Sequence, residues 1–150
     1  MLLYHISEDV MFNKKLYPRI PDNHMTKIGA EENKTPRVCF SESIDGALIA
    51  LGQNLRGKRL YVYVADLKGQ RVVTNREIVD KGFVPDAKIT GETWVLDPVR
   101  IKLITSIVVH EADKEYEYSY KTHNKDTANK AFVYSWNYTE RKLPGVFFLN

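Results

Sequence analysis

The stretch TPRVCFSESIDGALIALG, residues 35–52, decides the local fold. Pro36 fixes φ and removes a backbone donor, so residues 37–40 are predicted to form a strand just after it. The SES run at 41–43 offers N-cap side chains, and apolar residues then recur at helical spacing until Gly52 ends the run. A strand, a polar turn and a short amphipathic helix are therefore expected. Such a turn directs hydroxyls and free N–H groups at one point, which suits an anion or a nucleotide.

The composition is that of one globular domain. The chain has 150 residues, of which 43% are hydrophobic and 11% aromatic, enough to bury about two-thirds of the unfolded surface. No segment approaches the roughly 20 apolar residues of a membrane span. The first ten residues have no basic lead and only a short apolar run, unlike a signal peptide. We expect a protein in the cytoplasm of its host, with no membrane partner.

Cysteine, histidine and charge restrict the chemistry. The single cysteine, Cys39, cannot form an internal disulfide, and the four histidines lack zinc-ligand spacing. No metal is therefore expected. A net charge of +3 is too small to indicate nucleic acid but is compatible with a phosphate-bearing ligand.

The N-terminal part combines a strand with a long irregular segment. Residues 2–6 are predicted to form a strand that contains His5, whose imidazole is either structural or a ligand contact. Residues 13–34 show little periodicity, and because loops of that length are uncommon in a compact domain, the segment either covers a site or is a flexible excursion. Within it, Arg19 lies between two X-Pro steps on stiff backbone, which suits bidentate phosphate binding, although a surface ion pair is the alternative.

Strands dominate the middle of the chain. Residues 59–66 alternate cleanly, 71–73 form a short strand, and 91–96 and 99–110 are two extended segments around a proline bend. Residues 74–89 are turn-rich. With one clear helix, the predicted class is α+β, a mixed β core with few helices.

The last 40 residues form an aromatic-rich C-terminal extension, 111–150, beside a core of 1–110. Tyr116, Tyr118 and Tyr120 alternate as on a strand, whereas residues 127–138 fit either the second strand of a hairpin or a helix. The aromatic surface, which also includes residues 145–150, has three readings: core, a homo-oligomer contact, or a base-stacking platform.

The order of these motifs resembles the ADP-ribosyltransferase fold. The motifs are LYHIS (3–7), PRVCFSES with IDGALIALG (36–52), RLYVYVAD (59–66) and ITGETWVLDPVRIKLITSIVV (89–109). They are most similar to the small rifampin ADP-ribosyltransferases and to small phage and prophage proteins of Firmicutes that carry a PRIP…TPRxCFS…SIDGAL pattern. The resemblance covers residues 1 to about 110 and implies NAD or an ADP-ribose-type nucleotide as the ligand.

The resemblance implies roles for particular residues. His5 stands where the family grips a ribose hydroxyl of NAD, and Ser7 and Ser41 stand at its small hydroxyl positions. The aromatic position of the second motif falls on Cys39, with Phe40 next to it.

In the third motif Glu92 is the acid that would stabilise the oxocarbenium-like ribose, while the position of the toxin-like catalytic acid falls on Trp94. A preorganised group of this kind is worth about 3–4 kcal/mol.

Three functions are consistent with these residues. The first is an ADP-ribosyltransferase with His5, Ser41 and Glu92 as working residues. The second is a non-catalytic phage protein that sequesters a nucleotide defence signal. The third is a nucleic-acid or protein binding module that uses the aromatic extension, with nucleic acid the less favoured partner. The expected nucleotide contacts are His5, Ser7, Arg19, Arg37, Phe40, Ser41, Ser43 and Trp94. Three residues have structural alternatives: Glu92 as a solvated strand-edge acid, Arg37 as a surface cation, and Trp94 as a core aromatic, which is the favoured interpretation of that residue.

Overall fold

The computed structural model describes residues 1–10, 14–123 and 128–142. The strands are β1 (Tyr4–Ser7), β2 (Lys15–Leu16), β3 (Val38–Ser41), β4 (Arg59–Ala65), β5 (Val72–Val73), β6 (Glu92–Val95), β7 (Val99–Lys121) and β8 (Ala128–Arg141). The helices are α1 (His24–Lys27), α2 (Ile44–Leu51), α3 (Asn75–Asp80) and α4 (Ala87–Thr90). The class is mixed α+β and mostly strand, as predicted.

All strand pairs in the sheet are antiparallel. The strands lie in the order β2-β7-β4-β1-β3-β6-β5, and β8 pairs with β7 further along that strand. β7 pairs first with β2 through Val99 and Arg100 and later with β8 from Ser106 to Lys121, while β4 occupies its other edge. β8 is therefore an outer strand of the sheet.

Three apolar clusters stabilise the sheet. Leu3, Phe40 and Tyr63 belong to the first, and Leu48 of α2 packs with the strand residues of the second. The third joins α3 and α4 to the fully buried Trp94 of β6. Burying each large side chain contributes about 1.5–3 kcal/mol, so the helices are fixed to the sheet by packing rather than by their own length.

The predicted strand–turn–helix unit is confirmed by β3 and α2. Ser43 is the N-cap, and its hydroxyl accepts a hydrogen bond from the Gly46 N–H at 2.9 Å. Gly52 ends the helix with φ 101°, a left-handed conformation that favours glycine. Gly46 also lets α2 approach α4, because a Cβ there would lie 1.9 Å from the Thr90 carbonyl oxygen.

The prediction of few helices is confirmed, but the sequence pattern identified only α2 clearly. The turn-rich segment 74–89 contains α3 and α4, and two residues hold α3 in place: Thr74 caps it and Ile78 is buried beneath it. Helices of four to six residues make too few turns to show helical periodicity, so their apolar contacts form only with the folded sheet.

Of the two alternatives for residues 127–138, the structure has the strand over residues 128–138, because β8 forms the second strand of a long hairpin with β7. β7 covers Val99–Lys121, so residue 110, where the core and the extension were expected to meet, lies within this strand. Residues 145–150 lie outside the described residues. No helix in the described part of the chain is long and apolar enough to cross a membrane.

Candidate functional site

A cleft opens beside β1, β3 and β6, three neighbouring strands of the sheet. β1 pairs with β4 through four residues but with β3 only through Tyr4 and Ser41. His5 and Cys39, just beyond that single pair, line both a cavity of about 580 Å³ and a smaller one of about 150 Å³. The cleft therefore lies where the pairing between β1 and β3 stops.

The larger cavity has walls of opposite charge. Lys14, Lys15 and Arg19 supply cationic side chains, and all three residues are exposed. The acidic residues that line this cavity are Glu31, Asp86 and Glu92. Burial raises the pKa of each of these three carboxyls, and their mutual repulsion contributes to the shift of Glu31 and Glu92. Such a cavity can hold a ligand that carries anionic and electron-poor parts.

Arg19 is positioned by backbone pairing at the mouth of the larger cavity. Its N–H donates to the Arg37 carbonyl at 3.1 Å, and the Arg37 N–H donates back at 3.0 Å. Neither an ion pair nor a side-chain hydrogen bond engages its guanidinium among the residues with described placement. The backbone of Arg19 is thus held by two hydrogen bonds, while its guanidinium has no protein partner in the described part of the chain.

The smaller cavity shares His5, Cys39, Ala50 and Glu92 with the larger one, so the two are connected. It also includes Ser41, which brings the three predicted working residues, His5, Ser41 and Glu92, to one place. The remaining lining is largely apolar: Tyr4, Ile6, Phe40, Ala47, Leu51 and Thr90. This chamber is large enough for a single aromatic ring.

Glu92 is the most perturbed acid of the site. Burial raises the pKa of its carboxyl to about 7, against the opposing effect of a hydrogen bond from Trp94 Nε1 at 2.7 Å. Among the described side chains, Trp94 is the only hydrogen-bond donor to this carboxylate. A carboxyl that titrates near neutrality next to a cleft is suited to proton transfer or to opposing a developing positive charge.

Trp94 lies behind the cleft rather than in it. It is 1% exposed, its ring stacks on Phe83 with 5.5 Å between centroids, and the Arg37 guanidinium lies 4.0 Å from its centroid. Neither cavity includes it among its lining residues. The expected contact of Trp94 with a ligand is corrected: the indole orients Glu92 from within the core.

Arg37 is likewise committed to the protein. It is 1% exposed, and its terminal nitrogens donate to Glu31 Oε2 at 2.7 Å, Glu32 Oε1 at 3.2 Å, and the carbonyl oxygens of Thr35 and Glu32. Its side chain lines the larger cavity, but these donors are used, so the phosphate contact expected of Arg37 is not available from them. Instead, Arg37 holds Glu31 beside the cleft.

His5 remains neutral over much of the physiological range. Burial lowers the pKa of its imidazole, and the charge of Lys14 lowers it further. The ring lies 6.3 Å from Phe40 and 6.1 Å from Tyr63, measured between centroids. A neutral imidazole at the junction of the two cavities can both donate and accept a hydrogen bond.

The serines differ in their placement. Ser41 is 3% exposed and donates to the Thr90 carbonyl, so it lines the smaller cavity as an already bonded hydroxyl. Ser43 caps α2 and Ser7 accepts a hydrogen bond from the Asp9 N–H, and neither lines the cleft. The expected ligand contacts of Ser7 and Ser43 are corrected accordingly. Phe40 is a core residue whose ring reaches the smaller cavity.

Sequence reasoning missed Lys14, Lys15, Glu31 and Asp86. Lys15 belongs to the two-residue strand β2 and the other three lie in loops or turns, where no periodicity shows which side chains face a cavity. The only signal was the length of the segment 13–34, which was expected to be either functional or a flexible excursion, and seven of residues 14–23 line the larger cavity.

The described residues contain no cluster of three or more His, Cys, Asp or Glu side chains arranged to hold a metal ion. No protein-family model matches this chain, and neither the curated proteins nor the solved structures contain a match to it.

Proposed function

We propose that the protein binds NAD or an NAD-derived nucleotide of the ADP-ribose type in this cleft, as its resemblance to ADP-ribosyltransferases implies. The observation that carries the proposal is the joined pair of cavities: a larger one with exposed cations, and a ring-sized one beside His5, Ser41 and Glu92. Ligand pockets of a few hundred Å³ that combine apolar walls with a few polar groups are typical of cofactor sites.

The charges suit the parts of such a ligand. Lys14, Lys15 and Arg19 would bind the pyrophosphate, because guanidinium and ammonium groups form charge-assisted hydrogen bonds with phosphate oxygens. The smaller cavity would take the nicotinamide ring. His5, at the junction, would hydrogen-bond a ribose hydroxyl.

A transfer reaction would use Glu92. When the C–N bond to nicotinamide breaks, its electron pair leaves with nicotinamide and positive charge develops on the ribose. The Glu92 carboxylate opposes that charge, and a nucleophile of the acceptor then forms the new bond and releases its proton. Since the pKa of Glu92 is about 7, the rate should increase as pH rises through 7.

The same cleft also suits a second function, sequestration of a nucleotide signal by a phage protein. Two features favour it: the Ser41 hydroxyl already donates a hydrogen bond to the Thr90 carbonyl, and burial raises the pKa of the Glu92 carboxyl to about 7, which disfavours its charged form. Binding needs neither a free Ser41 nor an ionised Glu92.

Binding is tested by titrating the protein with NAD and with ADP-ribose in a calorimeter. We expect Arg19→Gln to weaken binding about tenfold, because a hydrogen bond to a charged group contributes about 1.5–3 kcal/mol net of water and about 1.4 kcal/mol corresponds to a factor of ten. The matched control is Arg76→Gln, since Arg76 lies on α3 with a 91% exposed side chain and only a surface ion pair to Asp80. Equal affinities of both variants and the wild type, or no binding at all, would contradict the proposal.

Catalysis is tested by following nicotinamide release with candidate acceptors at pH 6 to 8. Turnover that disappears in Glu92→Gln while NAD still binds supports the transferase. Binding without any release in the wild type supports sequestration.

A further inference from the structure

The free edge of β8 is the longest unpaired strand edge in the described structure. β8 covers 14 residues, Ala128–Arg141, and pairs only with β7. Every other backbone N–H and C=O along its outer edge is therefore without a strand partner in the described part of the chain.

The central part of β8 lacks the residues that usually protect a strand edge from pairing with another chain. Residues 131–139, AFVYSWNYT, contain no charge, no proline and no glycine. At each register shift of the hairpin, the pairing advances by three residues on β7 but by two on β8. The extra residues therefore lie in β7, and β8 is not bulged. Charges, prolines and bulges are the usual means of preventing edge-to-edge pairing, and this stretch has none of them.

Charge complementarity indicates the occupant. In an antiparallel pair of identical strands, one residue lies on the two-fold axis and its neighbours pair symmetrically. Lys130 and Glu140 flank the uncharged stretch and lie five residues to either side of Ser135. With Ser135 on the axis, Lys130 of each copy lies opposite Glu140 of the other, which gives two oppositely charged cross-strand pairs. The same register places Phe132 opposite Tyr138 of the second copy.

The side chains needed for this pairing are accessible. Lys130 has a 70% exposed side chain in a surface ion pair with Glu117, and Phe132 is 46% exposed. Glu140 is exposed and uses only Oε1, which accepts a hydrogen bond from Thr105. Surface pairs of this kind are worth at most about 1 kcal/mol, so they can be exchanged for pairs with a second copy.

We propose that two copies of this chain pair through β8, antiparallel, with Ser135 on the two-fold axis, and so extend one continuous sheet across the dimer. This surface is separate from the nucleotide cleft and does not depend on the proposed function.

The register is tested by cross-linking the full-length protein. Opposite Cα atoms of an antiparallel pair lie about 4.5–5.5 Å apart, within the range that a disulfide spans. Ser135→Cys is therefore expected to give a covalent dimer under mild oxidation. Val133→Cys is the matched control, because its two copies would lie four residues apart, about 13 Å along the strands, and cannot be bridged. The native Cys39 is present in both variants.

Charge reversal gives a second, independent test. Lys130→Glu and Glu140→Lys should each weaken the dimer about tenfold in sedimentation measurements at low salt, and the double variant should recover most of that loss. Melting temperatures of the monomeric fraction control for the local contacts with Glu117 and Thr105.

Three results would overturn the proposal: a monomer throughout a hundredfold range of concentration, equal cross-linking of both cysteine variants, or dimerisation only after residues 143–150 are removed.

Discussion

Replacing Glu92 by glutamine tests the electrostatics of the cleft directly. The amide keeps the size of the side chain and an oxygen that can accept the Trp94 Nε1–H bond, but it removes the titrating carboxyl. Burial raises the pKa of this carboxyl from 4.5 to about 7. The folded state therefore binds the proton more tightly than the unfolded state does.

The sign of the effect follows from this difference. Below pH 4.5 the carboxyl is protonated in both states and costs nothing. As pH rises from 4.5 to 7, the unfolded state loses the proton first, so the wild type becomes less stable. A shift of this size corresponds to at most about 3 kcal/mol, since one pKa unit is about 1.4 kcal/mol and the group retains some contact with water. Glutamine does not titrate, so the stability of the variant lacks this dependence on pH.

The measurement is urea unfolding between pH 4.5 and 8, followed by tryptophan fluorescence. We expect the stability of Glu92→Gln relative to the wild type to increase by about 2–3 kcal/mol over this range and then to level off. The control is Glu42→Gln, an exposed acid at the same corner of the sheet. Parallel pH profiles for Glu92→Gln and the wild type would show that Glu92 is well solvated and would refute the account of the site.

Three further changes probe what holds the cleft together. Gly46→Ala should lower the free energy of unfolding by about 1–3 kcal/mol, because a Cβ would meet the Thr90 carbonyl oxygen; unchanged urea midpoints would mean that α2 can shift freely. Arg37→Gln should lower the free energy of unfolding by about 3–5 kcal/mol, because Glu31 then lies beside other buried acids without its cation. An unchanged melting temperature would show that the ion pair is dispensable. Burial lowers the pKa of the His5 imidazole, so the wild type should lose stability as pH falls from 7.5 to 5 because the unfolded state binds the proton more readily. His5→Asn should lack this loss; identical pH profiles of both proteins in equilibrium unfolding would contradict this.

Whether a prediction was confirmed depends on the sequence distance over which the stabilising interactions act. The strand, cap and helix of residues 38–52 were predicted because proline, the N-cap serine and the final glycine act on their own backbone. α3 and α4 were missed because their stability comes from Ile78 and Ala87 packing on β6, which no local pattern reports. The helical option for β8 failed for a similar reason, since its partner strand lies more than ten residues away for most of its length.

The site shows the same division. Sequence alone identified Arg19, His5, Ser41 and Glu92 as polar groups in informative positions, and their chemistry is a property of the residues themselves. It could not decide between ligand contact and burial for Arg37 and Trp94, which are both buried with the Arg37 guanidinium over the indole ring, and Arg37 also forms an ion pair with Glu31. Burial depends on which chain segments cover a side chain.

Sequence by itself determined the strand-dominated class of this protein, the polar corner after β3 and the types of side chain available for binding. Only the tertiary structure decided that β1 and β3 part beyond Tyr4 and Ser41, and that residues between Lys14 and Asn23 line the cavity beside them. A cavity is formed by surfaces brought together from distant parts of the chain. Its shape, and the pKa shift of Glu92 that depends on the exclusion of water, therefore arise only on folding.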